Sequence, residues 1–584
     1  MLFVSKNEWH SEESLSLLLF VGQKFDELFF DYSLDSYKPP ALNPSFICRE
    51  ALSLINDIEN EVLDRSNLDY VLEELDFSLR NDDVAKLMLT SEIDKFILKG
   101  EDIRLSDLKL RLEVLEKVLN PLSYFQLCCS LIFTEISKPK GSKKLINHLC
   151  NLLASLLINI GISKQHIYEK TKEFFFSDRE IKNIIEVEDF FYSISNTTHH
   201  FEIYFLVSKD ILKISTAFQI FDISVLTKLP DDLAPLAKEK KIVKRKNEVW
   251  VQIDEIETFD RHSARRIAER TLETLSDLFS LYSHKQKITW RSDVFITQCC
   301  ENLHRVIIQP KSPMDKCIDI RPESAAKKLN YLFQNIGLQR ESFKRFNRVV
   351  DLHATALDSD LVENQLINIW IAIETIIPSS VHGGGKVKKI CNGLEPILLN
   401  NYIDRLVQAL VNDLLKWGRS RLTDILKNIE NYKDKKIKQL VLELISLSKY
   451  KDLRTDLYSK LDNFHLLRYR CFELSEILKS PKKVLDVIEQ HQIKIRWQVR
   501  RIYRTRNIIV HSGGSLPYID TLIENAHDYL DQSINAVVKY SCGELDANTL
   551  EQVFEMAQLD YEYFSKELKS TETFDEDNLM LLLN

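Results

Sequence analysis

Apolar residues recur at three- and four-residue spacing along most of this chain, the period of a helix with one buried face. In the first 200 residues the pattern predicts helices over 46–64, 68–81, 83–98, 105–119, 142–161 and 164–176. Gly161 reads as a helix stop and Ser163 as the N-cap of the helix that follows. After residue 200 the pattern changes. Residues 201–207 (FEIYFLV), 211–214 and 249–253 (VWVQI) are short aromatic and β-branched runs of the kind strands need, and an amphipathic helix over 263–282 follows them. Beyond residue 300 the helical period returns. Helices are expected at 322–338, 342–352, 361–377, 387–399, 402–417, 420–429, 437–448, 453–478, 482–510 and 517–541.

These elements set out a mainly α, multidomain chain. Residues 1–200 read as a helical scaffold or sensor region, 201–300 as a small α+β module, and 301–543 as a helical domain. Residues 544–584 form an acidic C-terminal tail. From Glu551 onward the tail holds nine acids against two lysines, and it is expected to give one more helix before a mobile end.

Composition narrows the function classes. A length of 584 residues exceeds what one hydrophobic core serves. Only 13 glycines and 14 prolines interrupt it, which favours long helices over many-turned β architectures. No stretch reaches the roughly 18–20 apolar residues of a membrane span, and no N-terminal leader pattern occurs, so a cytoplasmic protein without a membrane partner is expected. The ten cysteines lack any C-x-x-C spacing, which speaks against a zinc ribbon or dithiol redox site and for buried thiols. A net charge of −9 excludes a surface that coats nucleic acid throughout, so such contact must be local.

One segment is locally basic. From Lys494 to Arg506 there are six basic residues (Lys494, Arg496, Arg500, Arg501, Arg504, Arg506) and no acid, with Trp497 and Tyr503 interleaved. Cationic side chains draw phosphate and aromatic rings stack on unpaired bases, so Lys494, Arg496, Arg500 and Arg501 are candidate RNA contacts. The plainer reading is a helix ion-paired to some of the chain's 87 acids. The same helix runs into His511 and then Ser512-Gly513-Gly514, which should end it. Tyr503, Asn507 and His511 lie four apart and share a face with Arg504, whereas Arg506 is about 140° round from His511. A histidine can take the proton of a ribose 2′-OH, and an arginine can neutralise charge growing on the phosphoryl oxygens. An asparagine can orient either group, and no metal or other cofactor is needed. Spacing alone is weak support, because Arg348 and His353 repeat it.

The run Arg506-Asn507-x-x-x-His511, at the end of a helix near the close of a helical domain, resembles the HEPN superfamily. That superfamily's signature is an arginine, four to six residues, and a histidine. Upstream, Asn368-Ile-Trp370-Ile-Ala372-Ile-Glu374 is similar to the W-x-A-x-E helix of Apea-like HEPN domains, and the resemblance covers about 300–543. It implies a metal-independent endoribonuclease in which two HEPN units pair so that two Arg/His motifs form one composite site. It also implies a toxin-like, regulated effector of anti-phage defence, with RNA as substrate, a homodimer or higher homo-oligomer, and a phage-derived trigger. Carried over, Arg506 binds the scissile phosphate, Asn507 orients it and His511 transfers protons, with Tyr503 in support. Glu374 either positions Arg506 or makes a structural ion pair. Arg504, six residues before His511, fits the looser spacing, while the asparagine after Arg506 favours Arg506. The alternative is a noncatalytic HEPN-like module that binds RNA, a nucleotide or a protein; it gains if His511 is buried.

Other signals carry less. Val381-His-Gly-Gly-Gly-Lys386 lacks the spacing of a phosphate-cradling loop and reads as an interhelical connection. His199-His200 and Asp260/His262 lack the partners a metal site needs. The basic stretch 238–245 reads as a solvated hairpin or linker.

Overall fold

Amphipathic helices are stable only where their apolar faces meet, and that requirement shapes most of this protein. In the computed structural model the described residues are 7–60, 65–98, 103–195, 197–298, 303–307, 309–316, 320–514, 516–542 and 546–583. The chain is mainly helical with one small antiparallel sheet. It divides into two compact units: one built from 1–155, 178–185 and 312–584, the other from 156–177 and 186–311. The segments expected as separate regions at 1–200 and 301–543 therefore contribute largely to the same unit.

The smaller unit holds a five-stranded sheet of order β2-β3-β1-β4-β5. Its strands are β1 (His199–Ser208), β2 (Ile223–Leu226), β3 (Glu248–Thr258), β4 (Val294–Gln298) and β5 (Leu303–Ile307). Alternation along β1 explains its two faces. Phe201, Ile203, Phe205 and Val207 join a core with Ala264, Ala268, Leu272 and Leu275 of the Arg261–Ser280 helix. Tyr204 and Leu206 point the other way and meet Trp250, Phe295 and Leu233. Residues 211–214, expected as a strand, belong instead to a 3-10 segment, Lys209–Ala217. Asp210 and Lys213 pair at 2.6 Å one turn apart, a contact that suits a helical turn and not a strand. The basic stretch 238–245, exposed except for half-buried Ile242, leads toward β3. Ser163 caps its helix by accepting from the His166 N–H at 3.1 Å, and Gly161 sits at φ +106°. Asp260 caps the Arg261–Ser280 helix, which leaves its carboxylate bound to backbone N–H groups and serine hydroxyls.

In the larger unit the expected helices appear at Pro44–Glu59, Ser66–Asn81, Leu105–Val118 and, in the C-terminal part, Pro322–Asn335, Arg340–Leu357, Val362–Ile376, Lys386–Asn400, Ile437–Ser446, Pro481–Ser512 and Ile519–Ser541. Three expectations change. The helix at 83–98 is Asp83–Met88 followed by a 3-10 turn at Ile93–Lys95. The helix at 453–478 breaks into Lys451–Lys460 and His465–Ile477, with Asp462 at φ +42° between them. Those at 402–417 and 420–429 run together as Tyr402–Leu426, kinked at Gly418. Two further helices form at Ser16–Leu28, which is buried on nearly every side and includes buried Gln23, Lys24, Asp26 and Glu27, and at Pro121–Ile136, which is mostly apolar. Among the described residues no helix is long and apolar enough to cross a membrane.

In the acidic C-terminus the expected helix is present, and the end expected to be mobile is packed. Thr549 and Gln552 form a capping box on the Leu550–Ser570 helix, which buries Val553, Phe554, Ala557, Phe564 and Leu568. Past it, Leu579 and Leu582 are buried, and Glu576 pairs with Lys435 and Lys449. Apolar burial and two ion pairs hold down a segment that composition alone marks as mobile. Leu579→Asp should therefore lower the urea midpoint clearly, by the cost of an unpaired buried charge, on the order of 2 kcal/mol or more. An unchanged midpoint would mean that the tail is free after all.

Candidate active site

The helix Pro481–Ser512 is 32 residues long. Pro481 fits its first turn, and Ser480 Oγ accepts from the Lys483 N–H at 3.4 Å. It stops as expected: Gly513 adopts the left-handed conformation (φ 66°, ψ 12°) and its N–H donates to the Ile509 carbonyl at 3.1 Å.

Most of the basic side chains on this helix are engaged with acids and rings of other helices. Arg496 grips Glu395 with two bonds, Nε to Oε1 at 2.6 Å and Nη2 to Oε2 at 2.8 Å, and Gln492 donates to the same carboxylate at 2.6 Å. The Arg500 guanidinium lies 3.2 Å from the ring centroid of Tyr70. Arg501 Nη2 donates to Glu50 at 2.9 Å and to Glu74 at 2.6 Å. Arg504 reaches the other Glu50 oxygen with Nε at 3.2 Å and Nη2 at 2.7 Å. Trp497 meets Phe77 at 5.2 Å between centroids. These contacts correct the expected RNA-binding set. Arg501, 2% exposed, lies in the interior, and Arg496 is held by Glu395. Lys494 is exposed and Arg500 half-buried. The helix carries no acid of its own here; its counter-charges come from positions about 100 to 450 residues away, where no local pattern could place them.

Burial by itself would push the Glu50 carboxyl up, but Arg501 and Arg504 outweigh that and hold it at about 2. Burial likewise opposes the charge of Arg501, and Glu50 and Glu74 more than offset it. This is a buried, mutually compensated cluster, in which removing one partner is costly.

The last two turns are different. Arg506 and Asn507 are half-buried and His511 is exposed. Arg506 Nη1 donates to Asn507 Oδ1 at 3.1 Å, and its buried Nε has no hydrogen-bond partner among the described residues. Arg506 leaves the helix about 140° from His511, but Asn507 is four residues before His511 and on its face. The bond to Asn507 therefore draws the guanidinium round toward the histidine's side. Arg504, which fits the looser spacing, is buried and bound to Glu50, and is not a free phosphate ligand.

The W-x-A-x-E helix, Val362–Ile376, does pack on this helix: Trp370 and Tyr503 stand 5.5 Å apart at an interplanar angle of 44°. Of the two roles open to Glu374, contact with Arg506 and a structural ion pair, it makes the ion pair. It accepts from the Trp370 indole N–H and pairs with Lys386 at 2.8 Å, the lysine that ends the glycine-rich stretch. Of the two Arg-x4-His matches, the second is now distinct: Arg348 is exposed, while His353 is turned to His527. That partner carries no signal in sequence beyond a histidine four residues before Asp531 on one helix.

The Glu50 cluster makes stability depend on pH. Its carboxyl titrates at about 2 when folded against an ordinary 4.5, so the contribution is complete above about pH 4.5 and is lost as pH falls toward 2. Glu50→Gln should cost roughly 3 kcal/mol at pH 7, measured by urea unfolding, and the gap to the native chain should narrow below pH 4.5. A gap independent of pH would contradict the assignment. Set against family models, curated proteins and solved structures, the chain matches none of them.

Proposed function

We propose that the end of the Pro481–Ser512 helix is the active site of a metal-independent endoribonuclease of the HEPN type, acting in the cytoplasm as a regulated, toxin-like effector in anti-phage defence. The observation that carries this reading is the pairing of Arg506 with Asn507 beside an exposed His511, on a helix whose neighbouring Arg501 and Arg504 are both bound by acids.

The chemistry follows from these groups. Neutral His511 takes the proton of a ribose 2′-OH, and the freed oxygen attacks the adjacent phosphorus. The bond from phosphorus to the 5′-oxygen breaks, giving a 2′,3′-cyclic phosphate and a 5′-hydroxyl end. Arg506 offsets the charge that builds on the nonbridging oxygens, and Asn507 fixes the guanidinium. The departing 5′-oxygen takes its proton from the His511 of a second copy, which enters the step as the imidazolium and leaves it neutral, so that a homodimer is the active form. A noncatalytic RNA-binding module is the second reading; it is favoured by the commitment of Glu374 to Lys386 and Trp370 and not to Arg506.

The full-length chain in EDTA should cleave single-stranded RNA to cyclic phosphate ends. His511→Ala and Arg506→Ala should each lower the rate by about 10²- to 10⁴-fold, the range for losing a positioned proton-transfer or charge-stabilising group. Cleavage that persists unchanged in both variants contradicts the assignment.

A further inference from the structure

Two helices of the larger unit bring three ligand-type side chains to one point. His353 lies on Arg340–Leu357, while His527 and Asp531 lie four residues apart on Ile519–Ser541 and so share a face. The two imidazole Nε2 atoms are 2.8 Å apart. Asp531 Oδ1 is 3.6 Å from His527 Nε2 and 4.0 Å from His353 Nε2. Two imidazoles at that distance need a single shared proton. The carboxylate oxygen, meanwhile, faces both nitrogens at hydrogen-bonding distance from neither. A metal is bound through just such nitrogen lone pairs, and both of these nitrogens face the carboxylate.

We propose that His353, His527 and Asp531 bind a divalent first-row transition ion of the zinc(II) class. Around a tetrahedral ion with bonds of about 2.0–2.1 Å, ligand atoms lie about 3.3 Å apart. The separations of 2.8, 3.6 and 4.0 Å bracket that value. Two imidazoles and one carboxylate suit zinc or cobalt, whereas magnesium and calcium ask for a shell of oxygens. His527 is 5% exposed, His353 23% and Asp531 41%, so the cluster is anchored inside and open to solvent on one side. Water can complete the coordination there. Neighbouring charge favours a cation. Asp315 acts on His527, whereas Asp528 is held by Arg405 at 2.6 and 2.9 Å and by Gln532 at 2.8 Å, so it is offset by that arginine and is not a ligand. The ion ties the two helices together and takes no part in the chemistry proposed for Arg506 and His511.

The test uses the full-length chain without a histidine tag, stripped with a chelator and dialysed, and cobalt(II) as the probe. Titration should give visible absorption bands of tetrahedral cobalt that saturate at one equivalent and are displaced by zinc(II). Zinc(II) should also raise the thermal midpoint. His353→Gln and Asp531→Asn alter the two more exposed ligands, so the fold survives, as circular dichroism will show. The double variant should lose the bands and bind zinc at least ~10-fold more weakly. No saturable uptake by the native chain, or the same uptake by the folded double variant, overturns the proposal.

Discussion

One carboxylate on an N-terminal helix binds two buried arginines of the helix that carries the candidate site. Glu50, on the second of the N-terminal helices, takes Arg501 on one oxygen and Arg504 on the other, and Glu74 completes the charge balance. Without these acids the helix would bring two buried guanidinium groups into a poorly solvating interior, at a cost of several kcal/mol each. With them it can pass against the N-terminal helices, turn Tyr503 onto Trp370, and run on until its last turns emerge into solvent. Arg504 and His511 are seven residues apart and nearly in line on the helix. The same face is thus covered at Arg504 and exposed at His511.

That geometry links the two ends of the sequence. The Pro44–Glu59 and Ser66–Asn81 helices belong to the stretch read as a sensor, and they grip the helix that carries the candidate site two turns before its end. Charge-assisted bonds from Arg501 and Arg504 to Glu50 and Glu74 thus fasten this helix to both of them.

The sequence made the local features legible. The spacing of apolar residues located most of the helices, the aromatic and β-branched runs at 201–207 and 249–253 marked two neighbouring strands, and Gly513 ends its helix in the left-handed conformation. It did not reveal the interactions that link distant positions. Lys494 to Arg506 looks like an open basic stripe because the acids that neutralise it, Glu50, Glu74 and Glu395, sit on other helices. The acidic tail looks mobile because its burial depends on Leu579 and Leu582 finding a surface far back in the chain. His353 looks like a chance match until His527 is brought beside it. Periodicity reports which face of an element is buried, and says nothing about which partner buries it.

The central claim is that three arginines within six residues do different work: Arg501 and Arg504 hold the fold, while Arg506 serves the chemistry. The most direct measurement records urea midpoint and RNA cleavage together for Arg504→Ala and Arg506→Ala. The account predicts a lowered midpoint for Arg504→Ala, and for Arg506→Ala a midpoint near that of the native chain with cleavage lost. Loss of cleavage in Arg504→Ala at an unchanged midpoint, with Arg506→Ala still active, would contradict it.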